Sequence, residues 1–269
     1  MPSPSGRTHG DSVTWDGPPR LCCSVGTSLA HVRDALRALD AGTEMCEIRV
    51  DLLADAAERE DAPSLFALAR ELGVSTIATV RELPKDGDDA GFSAARLRLV
   101  ERCVDAGASM VDLEVEAPDA YAARVVAKAR ERGCAVVVSY HAYEQTEASS
   151  MGLARKVDEC FAKGADVAKV AVAVVSRRGA GRVLALYDDD RRVVALGMGR
   201  HGVATRVAAC MLGAPFTFVA WDERSATAPG QLSRDAMRRV VDLLPKDAVV
   251  VAGAGSGARE EQERKRAKA

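Results

Sequence analysis

The chain has 269 residues, of which 48% are hydrophobic and 28% are charged, and its formal net charge is −2 at pH 7. This length and composition suit one large globular domain or two small ones. The near-neutral charge does not favour a nucleic acid or an anionic membrane as partner, and no apolar stretch reaches the roughly 20 residues that span a bilayer. The amino terminus lacks the apolar core of a signal peptide, so we expect a cytoplasmic protein.

The two ends of the chain differ in composition from its middle. Residues 1–19 are rich in Pro, Gly, Ser and Thr and are predicted to be disordered, and residues 248–269 are predicted to form a flexible charged tail. Residues 20–247 are therefore predicted to form a single folded domain.

Strand-like and helix-like patterns alternate through this domain. Strands are predicted near 20–25, 45–51, 75–81, 110–116, 134–140, 166–172, 192–198 and 215–221. Helices are predicted near 29–41, 62–72, 94–106, 119–132, 152–163, 178–187, 202–212 and 233–244. Eight such units predict an α/β protein with the (β/α)8 architecture of a TIM barrel. An open doubly wound sheet is the alternative, but residues 23–28 after the first strand lack the glycine-rich dinucleotide fingerprint.

Seven cysteines lie along the chain, several of them inside apolar runs, and none forms a Cys-x-x-Cys pair. An odd number of cysteines in a predicted cytoplasmic protein favours buried thiols over disulfides or zinc ligands. Three consecutive aspartates at 188–190 have no histidine or glutamate beside them, so we predict a solvated turn there and no metal site.

Several predicted strands alternate polar and apolar residues, which is unusual for parallel strands that are covered on both faces. Side chains two residues apart share a face of a strand. The polar faces carry Glu47, Arg49 and Asp51; Thr79 and Arg81; Asp112, Glu114 and Glu116; and Ser139 and His141. If the apolar faces meet the helices, these charged groups point into the barrel. Buried charges must be paired or take part in chemistry, so this pattern favours an active site.

Lys169 lies in the middle of the apolar run 166–172. Burial of a lysine carries a desolvation cost. It also lowers the pKa of a lysine in general, which favours the neutral amine that Schiff-base chemistry requires. On the strand alone, a structural lysine paired with a core carboxylate is an equally good interpretation.

Short segments at the ends of several predicted strands carry a family resemblance. They are Glu-Ile-Arg-Val-Asp (47–51), Thr-Val-Arg (79–81), Asp-Leu-Glu (112–114), Ser-Tyr-His (139–141), Ala-Lys-Val-Ala-Val (168–172), Gly-Val-Ala-Thr-Arg (202–206) and Ala-Pro-Gly-Gln (228–231). In this order, and over about residues 20–245, the chain resembles type I 3-dehydroquinate dehydratase, the Schiff-base enzyme of the shikimate pathway in aromatic amino-acid biosynthesis.

The resemblance implies a hydro-lyase that converts 3-dehydroquinate into 3-dehydroshikimate by syn elimination of water, without a cofactor or a metal. Lys169 would form an iminium with the substrate ketone, and His141 would serve as general base and general acid. The residues that would bind substrate are Glu47, Arg49, Arg81, Arg206, Thr227 and Gln231. Arg206 would clamp the substrate carboxylate, and the loop 226–231 would act as a lid. The family often forms homodimers, although no pattern on this chain requires one.

The chain departs from the family pattern after Arg81. In the family, a glutamate four residues after this arginine orients the catalytic histidine, but Lys85 occupies that spacing here. One inserted residue, Pro84, would align Asp86 with the glutamate and make Asp86 the partner of His141. A class I Schiff-base aldolase and a catalytically weak ligand-binding homologue remain alternatives.

Overall fold

The computed structural model describes residues 19–81, 92–143, 150–188 and 190–244. The strands are β1 (Arg20–Val25), β2 (Glu44–Arg49), β3 (Ser75–Thr79), β4 (Met110–Glu114), β5 (Ala135–Ala142), β6 (Val167–Ala173), β7 (Val193–Met198) and β8 (Phe216–Ala220). The helices are α1 (Leu29–Ala38), α2 (Ala56–Asp61), α3 (Pro63–Leu72), α4 (Ala94–Asp105), α5 (Asp119–Arg132), α6 (Ser150–Ala162), α7 (Arg177–Leu184), α8 (Val203–Ala209) and α9 (Arg234–Leu243).

The strands form one parallel sheet in the order β7-β6-β5-β4-β3-β2-β1-β8, with a helix after each strand. This arrangement confirms the predicted TIM barrel and excludes the doubly wound sheet. The predicted disordered ends fall outside the described residues, except for residue 19, and those domain boundaries stay predictions. All seven cysteines are buried and free. None of the helices that the structure describes is long and apolar enough to cross a membrane.

Several local elements differ from the sequence prediction. Strands β3 and β4 each end two residues before the predicted bounds of 81 and 116. The second strand was expected to run to residue 51 but ends at Arg49, and a 3-10 turn (Val50–Leu52) follows. The short helix α2 was not predicted. Its amino terminus is capped by Asp55, whose carboxylate accepts a hydrogen bond from the backbone N–H of Glu58 at 2.9 Å. Six residues of largely polar sequence carry too little apolar periodicity to reveal such a helix.

Side chains that point into the barrel form layers, because every second residue of a strand shares a face. The floor of the barrel is an apolar cluster that includes Cys22, Met45, Ile77, Met110, Val137, Val167, Val194 and Phe216. Two residues further along the same strands lie the buried residues Ser24, Glu47, Thr79, Asp112, Ser139, Lys169, Leu196 and Phe218. A further step of two reaches Arg49, Arg81, Glu114 and His141. The expected polar interior therefore lies between an apolar floor and the mouth of the barrel.

Among the described residues, β7 and β8 form no hydrogen-bonded ladder, and α8 packs against both strands. Side-chain oxygens instead accept hydrogen bonds from two backbone N–H groups of β7. The backbone N–H of Gly197 donates to Oγ1 of Thr205 at 2.7 Å, and the N–H of Ala195 donates to Oη of Tyr187 at 2.8 Å. Helix α8 approaches so closely that a Cβ on Gly197 would lie 2.6 Å from the Cα of Gly202. This contact fixes the helix that carries Arg206.

We predict that Gly202→Ala destabilises the fold by about 1–3 kcal/mol, the usual cost of overpacking. A Cβ at this position would overlap the carbonyl group of Gly197, whereas nothing lies within 4 Å of a Cβ added to Gly181 in α7. Gly181→Ala is the matched control and should leave stability unchanged or raise it by up to about 1 kcal/mol. Urea unfolding measures both; equal stability of the two variants would contradict the close packing of α8 on β7.

Candidate active site

The buried ammonium group of Lys169 lies between two carboxylates on other strands. Its Nζ atom is 3.3 Å from Oδ2 of Asp112 in β4 and 3.5 Å from Oε1 of Glu47 in β2. The ring of Phe218 in β8 covers it, with the ring centroid 4.1 Å from Nζ. Only 4% of Lys169 is exposed. The pairing expected of a structural lysine is therefore present, and it also places the amine at the centre of the polar layer.

Both carboxylates are held by hydroxyl groups from the neighbouring strands. Glu47 accepts hydrogen bonds from Ser24 and from Oγ1 of Thr79, the latter at 3.0 Å. Asp112 accepts one from Oγ of Ser139 at 2.8 Å. Burial is the largest effect and raises the pKa of each carboxyl. The positive charge of Lys169 is the largest opposing effect, and together with that of Arg81 it helps to leave the pKa of both carboxyls below the ordinary value. Glu47 and Asp112 are therefore anions at neutral pH.

His141 lies two residues beyond Ser139 on β5, towards the mouth of the barrel. Burial lowers the pKa of its imidazole well below the ordinary value, and the positive charges of Arg81 and Lys169 lower it further. The imidazole is thus neutral at pH 7 and available as a base. Its ring stacks on Tyr143 with centroids 6.0 Å apart. The partner predicted for it, Asp86, lies outside the described residues.

Arg81 faces the two acidic residues of β4. Its Nη2 lies 3.7 Å from Oδ1 of Asp112, and its Nε lies 3.8 Å from Oε1 of Glu114. Burial alone would lower the pKa of Arg81, but Asp112 and Glu47 raise it above its ordinary value. The buried Nε and Nη2 atoms make no hydrogen bond. These two N–H groups can therefore donate hydrogen bonds to a ligand oxygen without breaking an existing hydrogen bond.

Arg49 is already engaged by a carboxylate on the same edge of the barrel. Its Nε and Nη2 donate to the two oxygens of Asp51 at 3.0 and 2.7 Å. This fork-shaped pairing outweighs burial and raises the pKa of Arg49. A substrate that binds Arg49 would therefore find two of its N–H groups already bonded to Asp51. The 3-10 turn after β2 places Asp51 beside Arg49.

Arg206 in α8 is a buried cation without a counter-ion among the described residues. Only 1% of it is exposed, and its Nε atom makes no hydrogen bond. Burial with no compensating charge lowers the pKa of the guanidinium to about 10. Because an uncompensated buried charge is costly, this arrangement favours an anionic ligand next to Arg206.

The two predicted loop residues bind each other. Both the backbone N–H and the hydroxyl of Thr227 donate to Oε1 of Gln231, at 2.9 and 3.2 Å. Within the part of the chain that the structure describes, no hydrogen bond joins either side chain to the polar layer around Lys169. The loop instead contacts the segment after β7, where the N–H of Gly199 donates to the carbonyl of Pro229 at 3.0 Å.

Sequence reasoning left three members of this site without a role. Asp112 was placed on an inward face but not assigned, although its period-two spacing to Glu114 pointed to the interior. Phe218 lies in an apolar strand whose composition gives no functional signal. Arg96, described further below, lies on a helix and reaches the site only through tertiary contacts. Among the described residues, no group of three His, Cys, Asp or Glu could hold a metal ion.

Comparison with known proteins identifies one family. The family model described as type I 3-dehydroquinase matches residues 21–248. The chain is 33% identical over 231 residues to a 3-dehydroquinate dehydratase of Methanothermobacter thermautotrophicus, covering 85% of this chain and 99% of that relative. It is 31% identical over 214 residues to the one of Methanosarcina barkeri, covering 77% and 88%. Its fold is similar to a crystal structure of type I 3-dehydroquinate dehydratase from Clostridium difficile with covalently modified comenic acid. The TM-score is 0.74 and the identity 21%, over 87% of this chain and 95% of that one.

We predict that Lys169→Met reverses the response of stability to mild acid. In the native protein the depressed pKa values of Glu47 and Asp112 contribute stability that is lost as pH falls through them. Without the cation, burial would raise the pKa of a carboxyl above its unfolded value, so the folded variant would bind more protons than the unfolded one. Stability of the variant should therefore rise between pH 7 and pH 5.

Urea unfolding at the two pH values tests this reversal. Lys163→Met is the control, because the partner of Lys163, Asp119, is solvent-exposed. The control should show the pH response of the native protein. A Lys169→Met variant with that same response would show that the lysine does not set the charge state of the two carboxylates.

Proposed function

The chain belongs to the type I 3-dehydroquinase family, and from this premise we propose that Lys169 is the residue through which it dehydrates 3-dehydroquinate to 3-dehydroshikimate. The reaction is a hydro-lyase step of the shikimate pathway. The observation that supports Lys169 most strongly is its position, since the amine lies in the middle of the barrel beside two carboxylates. Those two carboxylates can stabilise an iminium as they stabilise the ammonium, because both species are cations.

The chemistry begins with a covalent bond between Nζ and the substrate. The neutral amine attacks the C3 ketone, and loss of one water molecule leaves an iminium. The positive nitrogen withdraws electrons from C2, which makes the C2 proton acidic enough to be removed. The electron pair that remains then expels the hydroxyl from C1. Hydrolysis of the conjugated iminium releases 3-dehydroshikimate and restores the amine, so the cycle consumes no cofactor.

His141 is the proposed proton carrier of this cycle. Its imidazole is neutral because burial and the nearby cations disfavour the protonated form, so it can take the C2 proton. It can then return that proton to the departing hydroxyl, which explains how a single residue on one face of the ring serves a syn elimination. Asp86 is the proposed orienting partner of this imidazole.

The remaining predicted residues would hold the substrate in place. Arg206 would bind the carboxylate, which supplies the counter-ion that the described structure does not provide. The substrate hydroxyls would form hydrogen bonds with Glu47, Arg49 and Arg81. Thr227 and Gln231 would close over the substrate as a lid, for which the bond between them must open.

The cellular location, the partners and the oligomeric state are inferred from the pathway and the family resemblance. We infer a cytoplasmic enzyme whose partner is the small molecule 3-dehydroquinate, with neither nucleic acid nor membrane as a partner, and a homodimer as the assembly. Light scattering tests the last point: a homodimer gives about twice the 28.5 kDa of a single chain.

Absorbance of the enone carboxylate in the product tests the reaction directly. The purified protein should convert 3-dehydroquinate with the turnover of an enzyme. Binding of 3-dehydroquinate without turnover would support the weak binding homologue, and cleavage of a carbon–carbon bond would support the aldolase.

His141→Ala should lower kcat by about 10²–10⁴-fold, the usual contribution of a positioned acid or base. The variant should still form the imine, since Lys169 is unchanged. Intact-protein mass spectrometry after borohydride reduction measures that adduct. Normal turnover by the variant would remove His141 from the proton-transfer steps.

Arg206→Met should weaken substrate binding and stabilise the protein at the same time. A charged hydrogen-bond partner is worth about 1.5–3 kcal/mol, so KM should rise by about 10–100-fold. The free energy of unfolding should rise because the substitution removes an unpaired buried charge. Arg200→Met, at an exposed arginine of the preceding loop, is the control for both measurements. An unchanged KM for Arg206→Met would contradict the carboxylate clamp.

A further inference from the structure

Arg96, in the first turn of α4, is a buried cation outside the set of predicted site residues. Only 4% of it is exposed. Its Nε donates to the backbone carbonyl of Val80 at 2.6 Å, and its Nη2 donates to Oε2 of Glu114. The guanidinium also lies over the ring of Phe92, 4.6 Å from the centroid. A single planar group thus binds the residue before Arg81 and the last residue of β4.

Glu114 connects this cation to the active site. While Oε2 binds Arg96, Oε1 lies 3.8 Å from Nε of Arg81. On its other side, Nη2 of Arg81 lies 3.7 Å from Asp112. The result is a row of alternating charges that runs across the barrel and includes the amine of Lys169: Arg96, Glu114, Arg81, Asp112, Lys169 and Glu47.

We propose that Arg96 and Glu114 are positioning residues that hold Arg81 in the geometry that binds substrate. Arg96 fixes the main chain through Val80 and fixes the side chain through Glu114. Among the described residues, only Nη1 of Arg81 makes a hydrogen bond, to Oη of the exposed Tyr143 at 3.4 Å, whereas Nε and Nη2 make none, so their position depends on the nearby charges. The inference rests on the proposed substrate-binding role of Arg81.

The planar geometry of the Arg96 guanidinium is as important for this positioning role as its charge. Two different nitrogen atoms donate to two acceptors, one just after β3 and one at the end of β4, which the single ammonium of a lysine cannot reproduce with the same geometry. Arg96→Lys would keep the charge beside Glu114 and lose the bond to Val80. An error of about 1 Å in a substrate-positioning group costs on the order of 10²-fold in rate, so small displacements of Arg81 are measurable.

A double-mutant cycle tests whether Glu114 acts through Arg81. Glu114→Gln keeps the shape of the side chain and removes its charge. In the otherwise native enzyme it should lower kcat/KM for 3-dehydroquinate by about tenfold or more, mainly through KM. In an Arg81→Lys background the same substitution should change kcat/KM by less than about twofold, since the guanidinium of Arg81, through which Glu114 would act, is already gone. Equal losses in the two backgrounds, or no loss in the native one, would overturn the proposal.

Two further variants separate positioning from stability. Glu44→Gln removes another buried carboxylate, which binds Arg238 at the amino end of β2, far from the mouth of the barrel. It should lower the unfolding temperature and leave kcat/KM unchanged. Arg96→Lys should lower kcat/KM in the native background only, and it serves as the test if Glu114→Gln does not fold. A native enzyme that fails to convert 3-dehydroquinate would contradict the proposed function instead, so the two failures are distinguishable.

Discussion

The positive charge of Lys169 inside the barrel is the constraint on which the rest of the site depends. A lysine that is 4% exposed is tolerable only if charges of opposite sign lie close to it, and Glu47 and Asp112 provide them from β2 and β4. These carboxylates in turn need donors, which Ser24, Thr79 and Ser139 supply from three further strands. The apolar floor below keeps water out and makes each of these interactions stronger.

Charge balance also explains what the site can bind. Lys169, Arg49 and Arg81 each lie close to carboxylates, whereas Arg206 has none among the described residues. Among these four cations, Arg206 therefore marks where we expect an anion, and the carboxylate of the proposed substrate meets that expectation. Burial, followed by the positive charges of Arg81 and Lys169, lowers the pKa of His141, so the buried site that holds these cations also keeps the imidazole neutral.

Much of the fold could be predicted because parallel strands and amphipathic helices have distinct periodicities. The period of two in β2, β4 and β5 also placed Glu47, Asp112 and His141 in the interior. The close packing of the start of α8 on β7 was not predictable, since it depends on the approach of Gly197 to Gly202 in space. Arg96 was missed for a similar reason: it lies on a helix whose periodicity predicts packing, and its partner Glu114 is 18 residues away in the chain. Asp86 remains a prediction from sequence alone.

The central claim is that the amine of Lys169 carries the substrate. Borohydride added to the native enzyme together with 3-dehydroquinate would reduce the iminium to a stable secondary amine, and peptide mapping by mass spectrometry would locate it. We predict one adduct, on the peptide that contains Lys169, with Lys156 and Lys163 unmodified. An enzyme that turns over 3-dehydroquinate but forms no adduct, or forms it on another lysine, would contradict this account of the barrel interior.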